Sequence, residues 1–164
     1  MMNAPALSKI LGRSVTDQEA KNYFSSLGIN LDKQLSLPEG EYRAYIECPS
    51  EGISFVFTDE AMFLGLAQKP LGSGPLYFSG MFFYSQGHDG YSQFNSQLPL
   101  NVVFSDTPAL LQGKLGEHEW ERKNEKGQLI ARRWSFPDGK RLHITFTAQQ
   151  TVLIVSYGTP DAAL

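Results

Sequence analysis

An intrachain disulfide is excluded: Cys48 is the single cysteine. It closes an apolar strand pattern, where a buried, inert thiol is expected rather than a nucleophile, and a reducing compartment fits. No apolar run approaches the roughly 18 residues of a membrane span. The stretch 1–13 lacks the charged start, long apolar core and small-residue cleavage site of a secretory signal, so a cytoplasmic location is expected. Basic clusters are missing too. Fourteen Lys and Arg stand against 17 Asp and Glu, a net charge of −3, which argues against nucleic acid as partner. Phosphate loops, Gly-x-Ser-x-Gly elbows and paired-cysteine knuckles are absent, so neither an enzyme nor a cofactor or metal site is expected.

What is present is enough to build a core. With 41% hydrophobic residues over 164 positions, one globular domain spanning 1–164 is expected. A short helix is predicted over 5–11. In the next one, Thr16 and Glu19 have capping-box spacing, Ala20, Tyr23, Phe24 and Leu27 form a helical stripe, and Gly28 supplies the stop. Alternation then predicts strands over 42–48 and 53–58, a third over 61–67 and a long fourth over 76–84, with a Gly/Pro-rich loop at 68–75. The polar, glycine-punctuated stretch 85–94 reads as a junction. Beyond it, Thr107-Pro108 opens a helix carrying Leu110, Leu111 and Leu115, and four strands are predicted over 118–123, 129–136, 140–147 and 151–158.

The two halves echo each other. Val15–Gly28 and Val103–Gly116 both run from a polar helix start to a Leu-Gly stop, with the glycines 88 residues apart. The turn-plus-strand at 49–58 has its counterpart at 137–147. Short turns between consecutive strands require antiparallel pairing. The expected fold is therefore α+β: an antiparallel sheet built from two helix-plus-four-strand repeats, units 1–98 and 99–164, with the helices on one face and the other face open.

Candidate functional groups are sparse. His88 and Asp89 share a turn, although neighbours there usually point apart. His118 on a strand would face away from Glu119 and Glu121, and the second histidine of a helical zinc motif is missing. His143, between Leu142 and Ile144, is expected to point out of the sheet. Glu117, Glu119 and Glu121 alternate as an acidic row, which reads either as a site for a basic partner or as a charged edge strand that resists aggregation. Tyr77, Met81, Phe83, Tyr84, Tyr91 and Phe94 are either core or the anchors of an interface, with His88 and Asp89 as polar contacts beside them.

The phrase from Leu98 to Thr107 (LPLNVVFSDT), followed by a helix and Leu115-Gly116, resembles small bacterial toxin-immunity proteins built from two helix-plus-sheet repeats. The tandem layout is similar to that of the β-lactamase inhibitory protein family and its outer-membrane lipoprotein relatives. Ser105 stands where that pattern has glycine, and 70–75 is an insertion. The resemblance implies a cytosolic protein, as in type VI secretion systems, that neutralises a cognate antibacterial toxin by occluding its active site or substrate groove. On that reading Tyr84, His88, Asp89, Tyr91, Phe94, Glu117, Glu119 and Glu121 contact a toxin basic at its contact surface, with no nucleic acid and no membrane involved. A small-ligand or adaptor module using the open sheet is the alternative.

Overall fold

A computed structural model describes residues 2–160. Seven strands form one antiparallel sheet: β1 (Arg43–Cys48), β2 (Ile53–Asp59), β3 (Leu76–Tyr84), β4 (Trp120–Lys123), β5 (Leu129–Ser135), β6 (Arg141–Phe146) and β7 (Val152–Gly158). Their order is β1-β2-β3-β7-β6-β5-β4, so two meanders meet back to back along β3 and β7. The expected α+β class is the one observed.

Side chains at local signals set the helix starts. Asn3 caps α1 (Ala4–Ile10), Asp17 caps α2 (Gln18–Ser26), Asn30 caps α3 (Leu31–Gln34) and Thr107 caps α5 (Pro108–Leu115). The expected Thr16–Glu19 box is displaced by one residue. Asp17 accepts from the Ala20 amide at 3.0 Å, while Thr16 bonds to Ser14 and Glu19 to Arg13.

The predicted strand over 61–67 does not exist. Asp59, buried at the end of β2, accepts from the Ala61 and Gly72 amides, and starts the one-turn helix α4 (Glu60–Phe63). Ala, Met and Leu with no β-branched residue favour that outcome. The first unit thus has three strands, not four. Phe63 stacks on Tyr77 with ring centroids 4.7 Å apart. Tyr77 pairs with Thr58 on the face opposite Phe57 and Phe78, so α4 covers that face at the β2–β3 end.

A bulge redistributes β3. Phe78 pairs with Phe57, but beyond the register shift at Val56/Phe57 it is Met81 and Phe83 that face the core, opposite Phe55 and Ile53. Strict alternation places Phe78 on the other side from Met81 and Phe83. One continuous cluster covers the helix side of the sheet, with Leu7, Phe24 and Leu111 from three helices against Phe55, Met81, Trp134, Leu142 and Val155. All the long helices therefore share one face. Leu27 and Leu115 are only partly buried against this cluster, and Leu110, predicted for the stripe, is 54% exposed. Leu27 is the C-cap residue of α2 and Leu115 the last residue of α5, so both sit at a helix end, and Phe24 and Leu111 take the buried positions instead.

Where β7 ends at Gly158, the chain segment after α1 takes over as neighbour of β3. The Phe78 amide donates to the Arg13 carbonyl and the Val15 amide to the Leu76 carbonyl, at 2.9 Å each. Cys48 is half-buried, and burial together with Glu51 raises its thiol pKa.

Candidate functional site

The junction 86–94 is strapped to the end of the sheet rather than held out from it. The Ser92 amide donates to the Pro49 carbonyl and the Phe94 amide to the Tyr84 carbonyl, at 2.9 and 3.0 Å. Gly52 lets this backbone pass so close that a Cβ there would lie 2.8 Å from the Gln93 carbonyl carbon. Tyr91 stacks on Tyr84 at 3.8 Å, and Phe94 packs edge-on against Phe83 at 4.8 Å. Both are buried, at 6% and 4% exposure, so neither is an available anchor. Burial first, then the neighbouring Tyr84 and Glu47, pushes the Tyr91 hydroxyl pKa well above its ordinary value. His88 and Asp89 do meet, Nε2 to Oδ2 at 3.3 Å, because Asp89 adopts a left-handed backbone with φ 51°. Asp89 remains exposed and Tyr84 half-buried.

The acidic row is dissolved by the start of β4. Only Trp120 onward is strand, so Glu119 and Glu121 fall on opposite faces. Glu119 accepts from Ser135 Oγ at 2.7 Å and Arg133 Nε at 3.0 Å, with Arg141 at 3.6 Å; the Ser135 bond and these guanidinium groups hold its carboxyl pKa low. Glu121 turns to the helix side, 2.8 Å from His118 Nε2 and 3.3 Å from Arg132 Nε. Partial desolvation raises the Glu121 pKa, but Lys123 and Arg132 outweigh it and the value is lowered. His118 thus faces Glu121 after all, and its ring lies edge-on to Trp134. Glu117 is exposed.

Cross-strand register places a different set together on the open face. Ser54, Phe82, Ser156, His143, Arg133 and Trp120 form one transverse row through β2, β3, β7, β6, β5 and β4. Trp120 stacks on His143 with centroids 5.8 Å apart, and the Arg133 guanidinium lies 5.3 Å from the indole centroid. Flanking rows add Arg141 on one side and Arg122 on the other. His143 points out of the sheet as alternation predicts. Trp120 is 37% exposed, against 1% for Trp134. Missing from the sequence reading was the register of β4, β5 and β6, without which Trp120, Arg133 and His143 are three unrelated residues.

Burial, then Arg133 and Arg122, lowers the His143 pKa below its ordinary 6.5. The folded state thus binds its proton less readily than the unfolded one. The neutral ring's contribution to stability is full above about pH 6.5 and is lost as pH falls through the folded pKa. An imidazolium stacked on indole quenches it. Tryptophan emission should therefore drop on acidification with a midpoint below 6.5, and His143→Gln should remove that step. A midpoint at or above 6.5, or a step that survives in the variant, would show that the ring is not seated as described.

Among the described residues, no three His, Cys, Asp or Glu side chains gather as a metal site, and no helix is long and apolar enough to cross a membrane. No protein-family model and no curated protein matches the chain. Among solved structures, it is similar to the DUF4309 family protein YjgB from Bacillus subtilis at 14% identity, covering 84% of this chain and 76% of that one, with a TM-score of 0.38.

Proposed function

We propose that the protein is a stoichiometric binding protein of the immunity type, which neutralises a protein toxin by covering its functional surface with the open face of the sheet over β4 to β7. The observation that carries this reading is the Trp120–His143–Arg133 stack on a face that, among the described residues, no helix of the second unit covers. Exposed tryptophan with arginine beside it is the composition of interface hot spots. A stacked, pre-ordered Trp loses little conformational freedom on binding.

Charge follows from the same geometry. On this face Arg122, Arg133 and Arg141 outnumber Glu119, so the matching toxin surface is acidic rather than basic. An acidic patch on the toxin would speed encounter and fix the docking orientation.

Affinity capture from the organism that encodes the chain tests this, using wild type, Trp120→Ala and Arg122→Glu. Wild type should retain one partner at equal stoichiometry. Trp120→Ala should weaken it by about 2 kcal/mol or more, roughly 30-fold. Arg122→Glu should slow association, with an effect that shrinks at high salt. Capture of no partner, or equal retention by all three proteins, would sink the proposal.

A further inference from the structure

A groove of about 940 Å³ runs between the segment 85–105 and the turn joining β6 to β7. It lies apart from the Trp120 row, and its lining is unusual in chemistry. Of sixteen lining residues none is ionisable, while five are Asn or Gln and five are Ser or Thr. A charged ligand would be desolvated there without a counter-charge. A purely apolar one would strip water from ten polar side chains. The side chains of Asn95, Gln97 and Asn101 make no hydrogen bond to any described residue, so their donors and acceptors are available to a ligand. Phe104, half-buried and packed on one side against the core cluster, lines the same wall.

The groove wall is built rather than loose. Leu100 and Asn101 hold left-handed backbones, φ 55° and 63°, a conformation that Asn tolerates and that is costly for Leu. Lys114 Nζ ties this turn down, donating to the Asn101 carbonyl at 2.8 Å and to both carboxylate oxygens of Asp106. Asp106, 2% exposed, in turn accepts from the Val103 amide at 2.9 Å. The Phe104 carbonyl accepts from the Val152 amide, tying the wall to β7.

We propose that this groove binds a neutral oligosaccharide. Carboxamides offer a donor and an acceptor side by side, which vicinal hydroxyls satisfy, and the C–H face of a pyranose suits Phe104. The volume lies within the range of small-ligand sites. An extended peptide fits less well. The free sheet edges are β1 and β4, so at β7 there is no unpaired strand edge for a peptide to extend.

Titration of isotope-labelled protein with maltotriose, cellotriose and chitotriose, followed by amide chemical shifts, tests the site against a blocked Gly-Ser hexapeptide. At least one sugar should give saturable shifts confined to residues 85–105 and 147–152, and the peptide none. Asn95→Ala/Gln97→Ala, at two exposed positions where the fold should survive, should weaken that sugar about tenfold or more, the loss of one or two hydrogen bonds. Absence of saturable shifts with all three sugars overturns the proposal. So does preference for the peptide, or unchanged affinity in the double variant.

Discussion

Phe24→Ala should cost about 3–5 kcal/mol of folding free energy, a large share of the roughly 5–15 kcal/mol available to a domain of this size. Phe24 is fully buried against the adjacent strands β2 and β3, its ring 5.2 Å from Phe55, 5.7 Å from Phe57 and 5.2 Å from Phe78. Two of those contacts are edge-to-face, so truncation removes quadrupole attraction as well as buried area. The cavity cannot close easily, because its walls are strand residues fixed by the sheet. Leu110→Ala, on the exposed side of α5, should stay within about 0.5 kcal/mol. Urea denaturation of the two variants beside wild type checks both. A loss below about 1 kcal/mol at Phe24 would mean that α2 does not cover the sheet as described.

The second large effect is at the seam. Gly158 faces Gly80 where β7 joins β3, and no side chain fits between them. A Cβ at Gly158 would lie 2.6 Å from the Gly80 Cα and would collide with the Ser79 carbonyl oxygen, which already accepts from the Thr159 amide at 2.8 Å. Backbone, not a flexible side chain, would have to move. Gly158→Ala should therefore destabilise by about 1–3 kcal/mol or more, and should loosen the pairing of the two meanders. Gly113→Ala has the opposite sign: in helix α5, with open space around it, the added methyl should stabilise by up to about 1 kcal/mol. Thermal melts of the pair decide it. Equal and small shifts at both positions would refute the close β3–β7 approach.

Local signals carried most of the fold. The Thr107 cap, glycine stops at Gly28 and Gly116, and alternation in β1 and β6 are all written in neighbouring residues. What failed depended on distant ones. The run 61–67 is apolar enough for a strand, and the Asp59 side chain, shared between Ala61 and the distant Gly72, adds to the lack of β-branched residues in favouring a helical turn. The β3 bulge depends on how Val56 and Phe57 pair, which no pattern within 76–84 reveals.

The candidate site was less legible for the same reason. Tyr91 and Phe94 have interface composition, but the close passage of Gly52 draws them into the protein. Glu119 and Glu121 alternate as strand residues should, but the strand starts between them, and basic neighbours from β5 and β6 take each one separately. Trp120 gains meaning only when β4, β5 and β6 are aligned. A surface made of cross-strand rows is a property of register, which single-strand periodicity does not encode.

Hydroxyl-radical footprinting of the chain, free and bound to the captured partner, tests the open-face reading most directly. In the free protein Trp120 should be oxidised and Trp134 protected, given their exposures of 37% and 1%. In the complex, modification of Trp120 should fall several-fold while exposed Leu110 on the helix side is unchanged. Protection of Leu110 with Trp120 still freely oxidised would contradict it, and would place the interface on the helical face instead.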